Sequence, residues 1–575
     1  MELRLPAVAL PRLRSSLGRR LPGSDLLISV PPVGVFLALL IPPAGAVAWA
    51  QHPDTSEIGA LIATARLPWS RWPDFSRYVD DIGRLYGGRA DEPVWLKDAG
   101  VTHQGREALV QLAAAAEHGL DPADYDVPTL DSLTRDLDRG LTTEGERLRT
   151  DLLLSVAFLR FVDDLHGGRT HPAPLSRSLP PPTLDLAGVV SAAVAGDSVA
   201  RLGPAVAPPY AQYRNLRFEL GRYRALAKDS TLPIVPSATR VRPGDAYAGA
   251  TALARRLAAL GDLPREASWP HGESRYAVDL VEAVRRFQER HGLDADGVIG
   301  PRTFAALNTP LPRRIRQLEL ALERLRWLPP IRGQRFLVVN IPAFRLFAFD
   351  SAGGAGVPSL HMRVIVGKAL DTRTPVLVEQ LRYLAFQPYW NVPRSILVGE
   401  ILSQLRRRPE YLRDHGMEVI GPRDRSLGDV VTPAVLSQLT SGAVRVRQRP
   451  SPRNPLGRVK FVFPNAADVY LHGTPDTALF ARQRRDFSHG CIRVEDPAAL
   501  AWWVLRDQPA WTRDSVDAAI AAKPTRRVLL SRPMPVILFY TTAVAVPGRG
   551  IAFYDDIYGH DRRLDEALRA GPTPP

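Results

Sequence analysis

Apolar residues recur at helical spacing through the first half of the chain. Residues 109–118 form an apolar run that stops at Gly119, and glycine commonly terminates helices. Residues 151–161 form a second apolar run, which we expect to end near Gly167 and Gly168. The pattern predicts a mostly helical region over residues 56–240.

A shorter helical unit is predicted over residues 245–310. Gly292 stands at the expected end of one helix, and Pro301 is suited to open a second helix over 303–307. The apolar positions of the first helix lie three or four residues apart: Ala277, Leu280, Val281, Val284 and Phe287. An amphipathic helix within residues 313–330 is predicted to connect this unit to the rest of the chain.

Beyond Gly333 the pattern changes to the alternation that is typical of strands. Residues 336–341 and 345–349 flank Pro342 and predict a hairpin. Further strands are predicted at 362–366, 383–386, 460–463 and 469–472. We therefore expect a mainly β domain over 333–545, followed by a C-terminal extension, 546–575. A polar, arginine-rich insert at 395–454 is expected to act as a lid or binding loop.

Length and composition indicate an ordinary globular protein of several domains. The 575 residues exceed the size of a single core, and the contents of 45% hydrophobic and 23% charged residues exclude a disordered or membrane-filled chain. The net charge of +14 comes almost wholly from arginine, because only five lysines are present. A basic surface suits an anionic polymer, but arginine-rich coding explains the charge equally well. We predict no nucleic-acid partner.

The N-terminus predicts export. Five arginines precede an uncharged stretch, 26–51, which ends in Ala48-Trp49-Ala50, a small-x-small cleavage pattern. Four prolines interrupt this stretch and disfavour a smooth membrane-spanning helix. Residues 1–50 are therefore expected to be a signal peptide or an N-terminal anchor, with possible membrane association at that end.

The candidate chemistry centres on Cys491, the only cysteine in the chain. A lone thiol in an exported protein is either inert packing or a reactive group. Cys491 lies in the segment Phe487-Ser-His-Gly-Cys-Ile-Arg-Val, downstream of Val469-Tyr-Leu-His-Gly-Thr-Pro. Histidine can assist a thiol nucleophile, and a glycine-rich turn can aim backbone N–H groups at an oxyanion. Two bases are possible, His472 on a strand and His489 in the cysteine loop, and we expect His489 to shape the loop.

These two segments together resemble the L,D-transpeptidase family, whose members cross-link bacterial peptidoglycan. Residues 364–368 with Thr374-Pro375, and residues 388–393, agree with that family, and the resemblance extends over about 336–568. Residues 117–125 and 163–169 resemble the helical scaffold domain of its large periplasmic members. Residues 287–303 resemble a three-helix peptidoglycan-binding domain. The implied fold is multidomain α+β, with a helical scaffold, this small module, and a mainly β catalytic domain that carries an inserted capping subdomain.

The resemblance implies a role for each motif residue. Cys491 is the nucleophile and His472 the base, with the Gly473 carbonyl orienting the imidazole and Gly490 shaping the oxyanion site. The expected substrate-binding residues are Tyr470, Ser488, His489, Arg493, Trp390 and Asn391. For Arg493, pairing with Glu495 or Asp496 is an equal alternative, and Trp390 is equally well explained by core packing. Gly473 replaces an aspartate that is usual in the larger relatives.

The implied activity is formation of a thioester on Cys491 from a tetrapeptide stem, with release of D-alanine, followed by a diaminopimelate–diaminopimelate cross-link. No metal or organic cofactor is implied, and carbapenems are expected to acylate the same sulfur. The implied location is the periplasm. L,D-carboxypeptidase activity, D-amino-acid exchange or lipoprotein attachment could use the same site. A non-catalytic peptidoglycan-binding protein and a cysteine endopeptidase are the rival classes.

Overall fold

A computed structural model describes the structure of residues 57–89, 92–97, 100–170, 176–177, 183–264, 274–331, 333–351, 356–369 and 372–571. The signal peptide or anchor predicted over residues 1–50 lies outside these ranges. Within them, no helix combines the length and apolar character that a membrane crossing requires.

The N-terminal region is helical, as predicted. Its helices are α1 Glu57–Ala63, α2 Val79–Gly87, α3 His103–Ala113, α4 Val127–Asp138, α5 Glu144–Gly167, α6 Leu186–Ala195, α7 Val199–Val206 and α8 Ala211–Ala227, with short strands β1 Leu96–Lys97, β2 Gly100–Val101 and β3 Ser176–Arg177. Helix α5 is the central element, because most of its length is buried. It begins earlier than the apolar run indicated, since Thr143 and Glu146 form a capping box at its start.

The second helical unit and the connecting helix follow in sequence. They comprise α9 Ala250–Leu260, α10 Val278–Arg290, α11 Pro301–Leu307 and α12 Leu311–Arg326. Buried Gln288 stabilises the turn between α10 and α11, because its side chain donates to Val298 O (2.9 Å) and accepts from Gly297 N (2.9 Å). The cores of both helical regions are continuous.

The C-terminal part is rich in strands. They are β4 Phe336–Asn340, β5 Arg345–Phe349, β6 Leu360–Gly367, β7 Leu377–Phe386, β8 Trp390–Asn391, β9 Met417–Ile420, β10 Arg445–Gln448, β11 Val459–Val462, β12 Leu471–His472, β13 Asp486–Ser488, β14 Ile492–Val494, β15 Arg526–Phe539, β16 Ala543–Val546 and β17 Gly550–Phe553. The helices of this part are α13 Arg394–Ile396, α14 Leu402–Arg407, α15 Tyr411–Asp414, α16 Pro433–Ser441, α17 Pro497–Leu505, α18 Arg513–Ala521 and α19 His560–Ala570. The multidomain α+β class is confirmed.

Within the described residues, eight strands close into a barrel. Their order is β11-β12-β14-β6-β5-β4-β15-β7, and β7 also pairs with β11, which completes the circuit. The barrel core contains Leu337, Val339, Leu346, Val364, Leu381, Phe461, Leu471, Ile492 and Val536. Because side chains alternate along a strand, the residues between these face outward. The predicted hairpin of 336–341 and 345–349 is the antiparallel pair β4–β5.

The insert is a folded subdomain with its own core. Strands β8, β10 and β9 form a three-stranded sheet, and the surrounding helices bury a separate apolar cluster that includes Leu397, Leu412 and Val446. A π-helical turn spans Leu397–Ile401. The subdomain begins with β8, a few residues before the predicted start of the insert at 395.

The end of the chain folds back on the helical regions. The β16–β17 hairpin packs on α8 and α12, and α19 packs on α12. Arg324 of α12 donates to Asp561 of α19 over 2.5 Å in a buried ion pair. Residues beyond 545 therefore join the barrel to the helical body.

Candidate active site

Strand register brings the two sequence motifs together. Strands β12 and β14 are parallel, with Leu471 opposite Ile492 and His472 opposite Arg493. Ile492 N donates to Tyr470 O over 3.1 Å, which continues the pairing by one residue. Leu471 and Ile492 are fully buried in the barrel core. The residues that alternate with them, Tyr470, His472, Cys491 and Arg493, therefore share the outer face.

The Cys491 side chain is partly exposed on this face. Its sulfur lies 3.9 Å from Asp468 O. Burial raises the pKa of the thiol, while hydrogen bonds from Tyr470 and the positive charge of Lys460 act in the opposite direction. The net shift is upward, so the free protein holds Cys491 as a neutral thiol at neutral pH.

His472 is buried and is held by its own neighbour. Its Nδ1 lies 2.6 Å from Gly473 O. A carbonyl oxygen only accepts, so Nδ1 carries the hydrogen and Nε2 is the unprotonated nitrogen of the neutral ring. Burial lowers the pKa of His472 to about 3, and the positive charge of Arg493 lowers it as well. Hydrogen bonding to the carbonyls of Gly473 and Pro455 raises the pKa, but by less. Among the described residues, Cys491 Sγ has no hydrogen bond to the imidazole.

Lys460 belongs to the same outer face. It lies opposite His472 in the β11–β12 pair, and its Nζ lies 3.5 Å from the centroid of the Tyr470 ring. Burial lowers the pKa of Lys460, and the nearby Asp468 and Cys491 oppose this shift. Lys460 was not predicted from the sequence as a site residue. The signal was its position on the strand before the His472 motif, in a chain with only five lysines.

The loop before Cys491 is held by side-chain hydrogen bonds. Ser488 Oγ donates to Cys491 O (2.6 Å) and accepts from Gly490 N (3.2 Å). Thr374 Oγ1 donates to Gly490 O (2.8 Å) and accepts from Gly367 N (2.9 Å). Gly490 has a φ of +110°, which favours glycine.

The N–H groups of Gly490 and Cys491 differ in their availability for an oxyanion. Gly490 N is engaged by Ser488 Oγ. Within the described part of the chain, Cys491 N has no hydrogen-bond acceptor. The N–H of Cys491, rather than that of Gly490, is therefore the backbone donor beside the sulfur.

Comparison with known families identifies the barrel. Residues 334–519 match the model of the L,D-transpeptidase catalytic domain. This part of the chain is an L,D-transpeptidase domain. Residues 248–307 match a "Putative peptidoglycan binding domain" and residues 80–220 match a scaffold domain, as the sequence analysis expected.

Individual relatives agree over part of the chain. A Haemophilus influenzae protein named "Putative L,D-transpeptidase" is 33% identical over 254 residues, which cover 44% of this chain and 49% of the relative. The chain thus spans about half the length of that curated relative. A crystal structure of an L,D-transpeptidase from Xylanimonas cellulosilytica is 17% identical in sequence to this chain. The match covers 53% of this chain and 99% of the crystallised chain. Its TM-score is 0.16, so this likeness carries no argument.

Arg493 of the transpeptidase domain does not make the predicted internal pairs. Glu495 instead accepts from the backbone N (3.0 Å) and Nε (2.8 Å) of Arg363, and Asp496 accepts from Ala499 N (2.9 Å) at the start of α17. In the described ranges, no acidic group lies within ion-pair distance of Arg493. The pairing alternative is therefore wrong, because both acids are already bound elsewhere.

His489 links the transpeptidase loop to the insert. Its Nε2 lies 3.1 Å from Glu400 Oε1, which belongs to the π-helical turn, and both side chains are exposed. This contact agrees with a loop-shaping role for His489. It also means that the insert contacts the segment that holds the nucleophile.

Trp390 and Asn391 lie in the sheet of the insert. Strand β8 pairs with β10, and the Trp390 ring packs on the core of the insert while Asn391 is exposed. The core-packing alternative for Trp390 therefore describes its observed environment, because β8 joins the insert sheet instead of the barrel. Among the residues described, no cluster of three or more His, Cys, Asp or Glu could hold a metal ion.

Proposed function

We propose that this chain is an L,D-transpeptidase that forms direct diaminopimelate–diaminopimelate cross-links through a thioester on Cys491. The observation that supports this most is the common outer face of Cys491, His472, Tyr470 and Arg493, which follows from the register of β12 and β14. An inert structural cysteine would instead point into the barrel core, where Ile492 lies.

In the first step, Cys491 Sγ attacks the carbonyl carbon between diaminopimelate and D-alanine. His472 Nε2 takes the thiol proton during the attack, since this nitrogen is unprotonated in the neutral ring. A concerted transfer suits this pair, because the shifted pKa values of both groups keep the resting site neutral. The missing hydrogen bond between them is expected to form when substrate binds.

The developing oxyanion receives hydrogen bonds from Cys491 N–H and from the Tyr470 hydroxyl. Burial raises the pKa of Tyr470, so the hydroxyl stays protonated and can donate. Lys460 adds positive charge behind the Tyr470 ring. Arg493 is available for a carboxylate of the stem peptide.

In the second step, the tetrahedral intermediate collapses and the C–N bond to D-alanine breaks. Imidazolium His472 returns its proton to the leaving amine, and the thioester remains on Cys491. The side-chain amine of a second diaminopimelate then attacks the thioester carbonyl and passes its proton to His472. The C–S bond then breaks, and the sulfur takes up the proton from His472. This step leaves the new amide bond between the two stems.

The remaining assignments follow from this role. We propose the domain division 56–240, 245–310, 313–330 and 333–545, with the insert as a cap over the substrate groove and 546–575 as a C-terminal extension. Peptidoglycan is the partner that the peptidoglycan-binding and catalytic domains support. We propose that residues 1–50 direct export to the periplasm, where this polymer is accessible.

Product analysis with a purified disaccharide tetrapeptide tests the proposal. We expect cross-linked dimers and one released D-alanine per cross-link from the full chain, and neither product from Cys491→Ala. Tripeptide without dimers would replace the transpeptidase assignment with L,D-carboxypeptidase. No D-alanine release from the native chain would contradict a catalytic role and favour a peptidoglycan-binding protein.

A further inference from the structure

A cavity lies on the outer surface of the barrel. It has a volume of about 540 Å³ and is bounded by strands β4, β5 and β15, helix α8 and the β16–β17 hairpin. Cys491 is not part of its lining. The volume falls in the range of roughly 300–1,000 Å³ that is typical of small-molecule sites. We call it the hairpin cleft, after the β4–β5 hairpin that forms its floor.

Strand register orders the floor of the hairpin cleft. Asn340 lies opposite Arg345, Val338 opposite Phe347, and Phe336 opposite Phe349. All six residues line the cavity. The rings of Phe336 and Phe349 stack with centroids 4.9 Å apart. Two polar groups therefore occupy one end of the floor, and an apolar stripe leads away from them and ends about 13 Å along the strand.

Asn340 presents a donor without a partner. The side chain is only 2% exposed, and its Oδ1 accepts from Thr541 N over 3.2 Å. That bond leaves Nδ2 as the free end of the amide. Buried Nδ2 has no hydrogen-bond acceptor among the described residues. Buried amide donors are nearly always satisfied, so Nδ2 requires an acceptor that the described residues do not supply.

Arg345 adds a positive charge beside this donor. In the part of the chain that the structure describes, no acidic side chain lies within ion-pair distance of Arg345. Its cross-strand neighbour Arg363 is bound by Glu495, and nearby Arg485 donates to backbone carbonyls. The guanidinium is thus available for an anion, and its planar donor set suits a carboxylate.

We propose that the hairpin cleft binds a long-chain carboxylate of the fatty-acid type. The carboxylate accepts from Arg345 and from Asn340 Nδ2, and the alkyl chain lies along Val338, Phe347, Phe336 and Phe349. The other arginines that line the cleft are engaged, Arg290 by Asp262 and Arg549 by Glu289. One arginine and one amide therefore remain, and they match a single negative charge with two oxygens. A phosphate monoester carries up to two charges and three free oxygens, and it would require more donors.

Calorimetric titration of the full chain with dodecanoate, below its micelle concentration, tests the proposal. We expect saturable binding that is about tenfold or more weaker in Arg345→Met, because a charge-assisted hydrogen bond is lost. Dodecanol should bind the native chain and Arg345→Met equally. Arg382→Met removes an exposed arginine elsewhere on the barrel and should bind dodecanoate like the native chain.

A second variant tests the route of the alkyl chain. Val338→Trp places a large ring on the floor of the cleft and should abolish binding of dodecanoate, while Cys491 remains open to acylation by a carbapenem in the folded protein. Absence of saturable binding by the native chain would overturn the proposal. Equal dodecanoate affinity in Arg345→Met, or undiminished binding by folded Val338→Trp, would overturn it as well.

Discussion

The ammonium nitrogen of Lys460 lies 3.5 Å from the centroid of the Tyr470 ring, on the outer face that also carries Cys491. The positive charge of Lys460 lowers the pKa of the Cys491 thiol against the larger effect of burial. Replacing Lys460 with methionine should therefore raise this pKa. We expect alkylation of Cys491 by iodoacetamide to become up to about tenfold slower at neutral pH, which corresponds to about one pKa unit.

The control for this variant is Lys523→Met, which removes an exposed lysine outside the site. Its alkylation rate should match that of the native chain at every pH. If the pH–rate curves of Lys460→Met and the native chain coincide, Lys460 has no electrostatic effect on the sulfur.

In the native chain, the Cys491 thiol should ionise only at a higher pH than an ordinary cysteine. Burial raises the pKa of Cys491 and lowers that of His472 to about 3, so no thiolate–imidazolium pair forms at neutral pH. The alkylation rate of the free protein should keep rising beyond pH about 8.5, the ordinary cysteine value. A plateau that is already reached near neutral pH would show a stable ion pair and contradict this account.

The two motif histidines should differ sharply in their effect on acylation. His472→Gln removes the proposed base, and we expect carbapenem acylation of Cys491 to slow by about 100-fold or more. His489→Gln is the matched control, because its ring contacts exposed Glu400 and should affect the rate by a few-fold at most. Stopped-flow measurement of acylation, with circular dichroism to confirm folding, distinguishes the two. Equal losses in both variants would contradict the assignment of the base.

Replacing Gly490 with a residue that has a side chain should strain the backbone of the loop that carries Cys491. The φ of +110° is strained for alanine, although the nearest atoms to an added Cβ are 3.9 Å away. We expect Gly490→Ala to lose about 1–3 kcal/mol of local stability and to acylate more slowly. Gly300→Ala is the control, because Gly300 has a negative φ and no atom within 4 Å of an added Cβ. Unchanged acylation in Gly490→Ala would show that the loop adapts without cost.

Local patterns predicted most of the elements around the site. Alternation around Pro342 predicted the β4–β5 hairpin, and Gly119, at the end of the 109–118 run, has the left-handed φ of +73° that favours glycine. That run itself is divided, because α3 ends at Ala113 and a 3₁₀ turn continues to His118. Helix ends and hairpins depend on neighbouring residues, which a sequence displays directly.

Features that depend on long-range register could not be predicted in the same way. The approach of Lys460 to Tyr470 requires β11 to pair with β12, and the availability of Arg493 depends on Arg363, which binds Glu495 from another strand. Asn340 and Arg345 are neighbours in the hairpin of the cleft. That Asn340 Nδ2 and the Arg345 guanidinium have no acceptor among the described residues depends on what packs above the hairpin. Spacing along the chain contains none of this information.

The central claim is that Cys491 is an acylatable nucleophile, and intact mass after incubation with a carbapenem tests it most directly. The native chain should gain the mass of one carbapenem, and peptide mapping should locate the adduct on Cys491. Folded Cys491→Ala should gain no mass under the same conditions. A native chain that remains unmodified, or an equal adduct on Cys491→Ala, would contradict the account.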